Sequence, residues 1–389
     1  MKGSNKLSKL GTYAFADVDE LVNDLTRRGI TPIDFGVGDP QDPTPEVVRS
    51  ACARGIEMRK SSGYPSYIGA DEYRETVSAW VRGRFGIDMD PKTEITSTLG
   101  AKEAVFHMPL AFLNEGDHVV APNPYYPPYE RGTLFAGGKC HFLPLERENG
   151  YLMDFEQIPD DVARSLKIIW INYPSNPTGA LATDEFYKEA VDFAQDNDVL
   201  IVSDECYSEM YYDTKPRSIL EFGYENVLVM QSLSKRSNMT NYRVGWVMGD
   251  KDALALFRKV KTNIDSGTPT FIQDGAIAAL CDEEHVGRMR DGYRTKRDII
   301  CSAFEDVGYP SCVPPATFYV WQEVPDDKGS VEVAKRLLDP SVGIVTTPGK
   351  WISKNVDGHN PGKNFIRLAL VPSIQACKEA AEKIRDAEL

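Results

Sequence analysis

The chain has 389 residues, of which 42% are hydrophobic and 26% are charged, which is the composition of an ordinary globular protein. The formal net charge of -14 opposes binding to nucleic acid or to an anionic membrane surface, because those partners require clustered Lys and Arg. The seven cysteines form no CxxC pair and the five histidines form no HExxH motif, so the sequence predicts neither a disulfide framework nor a metal site.

The N-terminal sequence MKGSNKLSKL lacks the apolar segment of a signal peptide. No uncharged apolar run approaches the ~20 residues that a membrane-spanning helix needs. We therefore expect a cytoplasmic protein without a membrane partner.

Short apolar runs alternate with helical patterns in the first part of the chain. The predicted strands are 117–122, 167–174, 199–205, 226–232 and 243–249. The predicted helices among them are 101–112, 125–136 and 183–197. Because short apolar runs flanked by Gly, Pro or Asn are typical of buried parallel strands, this succession predicts an α/β domain with a mainly parallel sheet.

The last part of the chain has a different pattern. Strand-like runs at 317–324, 343–349 and 365–371 are interspersed with helical patterns near 331–338 and 373–387, which predicts a smaller α+β unit. A helix-rich stretch near 270–305 joins the two units. We predict an N-terminal arm that includes part of the small domain, a large domain and a small C-terminal domain, at residues 1–45, 46–285 and 286–389.

Polar side chains follow three of the predicted strands. Asn176 and Asp204 follow two of them, and Ser232, Ser234 and Lys235 follow a third. Ligands of open α/β sheets bind beyond the carboxyl ends of the strands, so the fold would gather these groups into one crevice. This convergence predicts a functional site.

The residue types in this crevice suit pyridoxal 5′-phosphate (PLP). A buried Lys235 can lose its proton and attack an aldehyde as a nucleophile. Asp204 can supply the anion that keeps the pyridine nitrogen of PLP protonated. Tyr207 and the amide of Asn176 can donate hydrogen bonds to the ring oxygen.

A phosphate-binding turn is predicted at TLGAKEAV, residues 98–105. Gly100 and Ala101 would lie between a strand and a helix, where free backbone N–H groups and the helix dipole attract an anion. Ser232 and the fork-shaped guanidinium of Arg243 can complete such a site.

Seven motifs together resemble the class I/II aminotransferases of the fold-type I PLP enzymes. They cover nearly the whole chain in that family's order: GVGDPQDPTP (36–45), YPSYIG (64–69), LGAKEA (99–104), YPSNPTG (173–179), SDECY (203–207), SLSKRSNMTNYRVGW (232–246) and FIRLAL (365–370). The resemblance implies a mainly parallel seven-stranded sheet sandwiched by helices, plus a smaller α+β domain.

The resemblance also implies roles for individual residues. Lys235 would form the Schiff base and shuttle protons, Asp204 would pair with the ring nitrogen, and Tyr125 would stack on the ring. Asn176 and Tyr207 would bond the ring oxygen. The residues around the phosphate would be Gly100, Ala101, Lys102, Ser232, Ser234, Arg243 and Tyr64, the last from the neighbouring subunit of a homodimer with shared active sites.

Arg367 would bind the α-carboxylate of the substrate, helped by the backbone N–H of Gly38, with Lys102, Tyr125 and Asn176 also near the substrate. Because an unpaired buried arginine is costly, Arg367 needs an anion, and a structural carboxylate is the alternative to a substrate. Tyr125 could instead be an ordinary core aromatic. The SLSK segment also fits the SxxK pattern of penicillin-recognising enzymes, but the expected SDN and KTG partners do not occur.

Three tracts, at 36–45, 110–138 and 358–372, resemble the LL-diaminopimelate aminotransferase group of lysine biosynthesis. The expected reaction moves an amino group to 2-oxoglutarate with ping-pong kinetics. N-succinyl-diaminopimelate, aspartate or alanine specificity remain alternatives, as does a PLP-dependent C–S β-lyase.

Overall fold

The structure is a computed structural model that describes residues 3–8, 10 and 16–387. Parts of the predicted N-terminal arm, at 1–2, 9 and 11–15, and the chain end at 388–389 lie outside the described residues. The strands are β1 Ile33–Asp34, β2 Ile95–Thr98, β3 His118–Asn123, β4 Lys139–Pro144, β5 Leu166–Ile171, β6 Leu200–Asp204, β7 Val227–Ser232, β8 Gly245–Gly249, β9 Tyr319–Glu323, β10 Ile344–Val345, β11 Thr347–Pro348 and β12 Phe365–Ala369.

The helices flank these strands along the chain. They are α1 Asn5–Ser8, α2 Ala16–Arg27, α3 Glu46–Met58, α4 Asp71–Phe85, α5 Ala101–Phe112, α6 Pro127–Ala136, α7 Asp160–Ala163, α8 Asp184–Asn197, α9 Leu233–Arg236, α10 Lys251–Ile264, α11 Thr270–Leu280, α12 Glu284–Asp306, α13 Gly329–Leu337 and α14 Ile374–Asp386. None of the described helices combines the length and the apolar character needed to cross a bilayer.

Seven strands form one sheet in the order β2-β8-β7-β6-β5-β3-β4. The strands from β7 to β4 run parallel to one another, whereas β8 is antiparallel to both of its neighbours. The predicted seven-stranded, mainly parallel sheet is therefore confirmed.

Helices cover both faces of this sheet. Along β5, Ile168 and Trp170 join a core with α5, α6 and α10, whereas Ile169 and Ile171 join a core with α4, α8 and α11. Because successive strand residues point to opposite faces, a strand covered on both sides is apolar throughout. The central strands were recognisable in the sequence for this reason.

The smaller unit has its own sheets and core. Strands β11, β12 and β9 form an antiparallel sheet, and β1 pairs in parallel with β10. Its core contains residues of α12, α14, β9 and β12, and Tyr207 packs into it from the segment after β6. The expected α+β unit is therefore confirmed, while the exact domain boundaries stay a prediction.

Candidate active site

Asp204 is the last residue of β6 and is only 7% exposed. Its Oδ2 accepts a hydrogen bond from the Tyr129 hydroxyl at 2.9 Å, and its Oδ1 accepts one from the Cys206 backbone N–H at 3.2 Å. It forms no ion pair within residues 16–387. Burial raises the pKa of Asp204, and these donors oppose that rise. A buried carboxylate with neutral donors alone is suited to a cationic ligand atom.

Lys235 lies in the short helix α9, directly after β7. Its Nζ donates to the carbonyl oxygen of Gly38 at 2.5 Å and lies 5.5 Å from the centre of the Phe318 ring. Burial and then the charge of Asp204 raise the pKa of the Cys206 thiol, whereas the Lys235 ammonium acts in the opposite direction. The amine is thus directed to the Gly38 segment, close to the end of β6.

The turn between β2 and α5 forms a polar cradle. Gly100 caps α5 with a φ of 78°, and a Cβ atom there would lie 2.5 Å from Nη2 of Arg243. That guanidinium donates to the carbonyl of Leu99 at 3.1 Å. Glycine is therefore required both for the backbone angle and for the close approach of Arg243.

Two buried serine hydroxyls lie at the end of β7 and in the helix α9 directly after it. The Ser232 Oγ accepts from the Ser234 backbone N–H at 3.1 Å and donates to the Ser234 Oγ at 3.0 Å. On α5, Ala101 is partly buried and Lys102 is exposed. The first N–H groups of α5 and the Arg243 guanidinium offer the donors that an anion such as phosphate requires.

Arg367 reaches into the interface between the two units from β12. Its Nη1 donates to the Asn176 Oδ1 at 3.2 Å, and its Nη2 donates to the Gly36 carbonyl at 2.9 Å. Its Nε is buried and has no hydrogen-bond partner among the residues that the structure describes. No carboxylate among residues 16–387 forms an ion pair with this guanidinium, so the alternative of a structural carboxylate finds no support. The guanidinium is placed to bind an anionic ligand.

Tyr319 was missed in the sequence and links three of the predicted residues. Its hydroxyl lies 3.2 Å from the Tyr207 hydroxyl, and the Arg367 Cζ lies 4.8 Å from its ring centre. A Cβ atom at Gly38 would lie 2.0 Å from the Tyr319 hydroxyl oxygen. Its position inside the apolar run TFYVWQEV indicated only a core residue, so the sequence carried no signal for its role.

The two tyrosines before α6 have different surroundings. Tyr125 donates to Glu130 at 3.2 Å and packs edge-on against Phe142, with ring centres 4.9 Å apart. For Tyr126, burial first and the charge of Asp204 next raise the pKa. The charge of Asp204 thus acts on Tyr126, while the stacking role expected for Tyr125 stays a prediction.

Two further predictions concern exposed side chains. Tyr64 is 89% exposed, and Lys102 at the start of α5 is also exposed. Neither is held in place by the described part of this chain, so their roles depend on a second subunit or on a ligand.

Five of the predicted residues lie in one connected set with Tyr319. Gly38 contacts Lys235 and Tyr319, Tyr319 contacts Tyr207 and Arg367, and Arg367 contacts Asn176. The set combines an amine, a guanidinium and several phenols. Such groups can bind a carboxylate substrate and move protons.

Comparisons with known proteins agree with this geometry. The family "Aminotransferase class I and II" matches residues 30–384. The LL-diaminopimelate aminotransferase of Aquifex aeolicus (strain VF5) is 43% identical over 99% of both chains, and that of Halothermothrix orenii is 37% identical over 100% of this chain and 99% of its own.

Solved structures show the same fold. An aminotransferase from Neisseria meningitidis Z2491 has a TM-score of 0.92 at 31% identity, covering 98% of this chain and 99% of its own. A single mutant of Thermus thermophilus aspartate aminotransferase has a TM-score of 0.90 at 26% identity, covering 99% of this chain and 100% of its own. The chain belongs to the class I and II aminotransferases.

Proposed function

We propose that this aminotransferase uses PLP and moves the amino group of LL-diaminopimelate to 2-oxoglutarate in lysine biosynthesis. The substrate proposal is carried by the relatives named LL-diaminopimelate aminotransferase, which are 37% and 43% identical over nearly the full length of both chains. The cofactor proposal is supported by the chain's own residues.

The site residues fit PLP at each of its polar groups. Lys235 supplies the amine for the aldehyde, and the buried Asp204, which has no ion-pair partner within residues 16–387, supplies the anion for the pyridine nitrogen. Asn176 uses its Oδ1 to accept from Arg367, which leaves its Nδ2 group to donate to the ring oxygen beside Tyr207. The phosphate would bind at Gly100, Ala101, Lys102, Ser232, Ser234 and Arg243.

When bound, PLP supplies an electron sink for the charge that remains when the substrate Cα loses its proton. The residues of this chain bind the substrate and transfer its protons. Arg367 binds the α-carboxylate with its two Nη groups, and the Gly38 backbone N–H assists. The Lys235 Nζ, which lies against Gly38, removes the Cα proton as a base and returns a proton as an acid. Asp204 keeps the ring nitrogen protonated.

Tyr126 is our choice for the aromatic residue that stacks on the cofactor ring. Burial and then the charge of Asp204 raise the pKa of Tyr126, whereas the Tyr125 side chain contacts Glu130 and Phe142. The earlier expectation for Tyr125 is therefore replaced in this proposal. Tyr125 instead packs next to the site, where Lys354 lies 5.3 Å from its ring centre.

A homodimer with shared active sites is part of the proposal. Large apolar side chains are exposed on α3 and on the segments beside it, as expected for a surface that another subunit covers. They are Val37, Val47, Ile56, Met58, Tyr64 and Tyr67. Tyr64 of one subunit would then reach the phosphate site of the other. A cytoplasmic location stays a prediction.

The reaction is tested by incubating the purified enzyme with LL-diaminopimelate and 2-oxoglutarate and measuring tetrahydrodipicolinate and glutamate. Both products should form, and double-reciprocal plots should be parallel, as ping-pong kinetics require. Lys235→Ala should abolish turnover, while Lys251→Ala, at the start of α10, is the matched control that should not.

Two outcomes would redirect the proposal. Fast turnover of aspartate or N-succinyl-diaminopimelate without reaction of LL-diaminopimelate would reject the substrate. Solved structures at 26–28% identity carry those names, in Thermus thermophilus proteins. Release of pyruvate and ammonia without any 2-oxo acid acceptor would indicate a C–S β-lyase instead.

A further inference from the structure

We propose that Tyr319 is a positioning residue that supports both ends of the active site, its hydroxyl acting on Tyr207 and its ring on Arg367. The inference rests on the proposed PLP chemistry and deepens it. Tyr319 contacts Gly38, the residue whose carbonyl oxygen accepts from the Lys235 Nζ.

The position of Tyr319 is fixed by the fold. It begins β9, where it pairs with Ala369 of β12, and its side chain is 3% exposed. Phe318 packs against its ring with centres 4.6 Å apart. Rigid placement on a paired strand lets a side chain orient its neighbours without reorganisation.

The hydroxyl of Tyr319 completes a hydrogen-bond relay. Tyr207 must donate its one proton to the ring oxygen of the cofactor, so its own oxygen is left to accept. The Tyr319 hydroxyl, 3.2 Å away, is in place to donate to it. A donor behind Tyr207 makes its proton a stronger donor, because hydrogen bonds in a chain polarise one another.

Tyr207 keeps its proton at neutral pH, because burial and then the neighbouring Tyr319 raise its pKa. Other ionisable groups face this pair from every element around it. They are Asp204 and Cys206 at the end of β6, Tyr126 before α6, Lys235 in α9, Tyr293 in α12 and Arg367 in β12. The test must therefore change the hydroxyl alone.

The ring of Tyr319, unlike its hydroxyl, contacts Arg367. The Arg367 Cζ lies 4.8 Å from the ring centre, so the ring face attracts the guanidinium and holds its plane. The Nη groups are thereby held where a substrate carboxylate can be bound in a bidentate manner. The hydroxyl and the ring can be tested independently.

Tyr319→Phe removes the relay and keeps the ring. A stronger hydrogen bond from Tyr207 stabilises the negative charge on the ring oxygen. This lowers the pKa of the Schiff-base nitrogen that joins Lys235 to the cofactor. The variant should therefore raise that pKa by about half a unit to one unit, the size of one neutral hydrogen bond. It is read from the visible absorbance of the PLP-loaded enzyme against pH, without turnover.

Tyr319→Leu removes the ring as well. Glutarate, a dicarboxylate without a reacting group, serves as the probe and is titrated by its effect on the same absorbance. Its Kd should rise about three- to tenfold in Tyr319→Leu and stay within about twofold of wild type in Tyr319→Phe. The melting temperature of each variant confirms that it is folded.

Tyr309→Phe is the matched control, because Tyr309 is also buried in the small unit and its hydroxyl has no hydrogen-bond partner in the described part of the chain. It should leave both readouts unchanged. An unshifted absorbance titration in Tyr319→Phe, or equal glutarate affinity in all variants, would overturn the inference. A wild-type enzyme that forms no visible band with PLP would instead overturn the proposed function.

Discussion

Replacing Tyr129 by Phe tests whether Asp204 is held as a carboxylate by neutral donors. Tyr129 is 1% exposed and lies stacked on Trp170, so the substitution removes only the hydroxyl that donates to Oδ2 of Asp204 at 2.9 Å. A hydrogen bond to a charged group is worth about 1.5–3 kcal/mol, against about 0.5–1.5 kcal/mol for a neutral pair. The decrease in the free energy of unfolding caused by Tyr129→Phe should therefore depend on whether Asp204 is charged.

The direction of the pH dependence follows from burial. Burial raises the pKa of Asp204, so the folded chain binds a proton at a pH where the unfolded chain has released it. Stability from this group is thus greatest below the unfolded value of about 3.9 and falls as the pH rises through the folded value. Without the Tyr129 hydroxyl the pKa of Asp204 in the folded chain rises further, so the loss of stability with rising pH becomes larger.

Thermal unfolding of the cofactor-free protein, measured from pH 7.5 downward, checks this prediction. The deficit of Tyr129→Phe should be about 2 kcal/mol at pH 7.5 and should narrow to about 1 kcal/mol once Asp204 is protonated. Tyr309→Phe, which loses no hydrogen bond, should show no pH-dependent deficit. A deficit for Tyr129→Phe that is constant with pH would refute the reasoning.

Three further predictions concern other parts of the site. Gly100→Ala places a Cβ atom 2.5 Å from Arg243 on a backbone with φ 78°, so PLP affinity should fall about tenfold or more in an equilibrium titration; unchanged affinity would contradict the cradle. Arg367→Met should lower kcat/KM about a hundredfold or more with little change in PLP affinity, and a small loss would argue against the carboxylate site. Tyr126→Leu should weaken PLP binding more than Tyr125→Leu, and the reverse order would restore Tyr125 as the stacking residue.

The sequence predicted the central strands but not the edges of the large sheet. Strands β5, β6 and β7 are almost wholly buried, so their apolar runs are continuous. Edge strand β4 was missed, and edge strand β2 was expected only as a strand of unstated length before Gly100. Their sequences, ITST and KCHFLP, are short or begin with polar residues, and their strand structure depends on pairing with β8 and β3.

The candidate site was predictable where a residue follows a strand, because the topology brings strand ends together. Asp204 and Lys235 are of this kind. Tyr129 and Tyr319 were not, because each acquires its polar partner only through tertiary packing. Sequence spacing cannot tell which of two adjacent residues in a loop faces the site, so the expected stacking role of Tyr125 stays a prediction beside the proposal for Tyr126.

The most direct test of the account is to locate the covalent bond to the cofactor. Borohydride reduction of the PLP-loaded enzyme, followed by proteolysis and mass spectrometry, should show the pyridoxyl phosphate group on the peptide that carries Lys235 and on no other. A label on Lys102, or on no lysine at all, would contradict the assignment of Lys235 as the residue that binds PLP and moves the substrate proton.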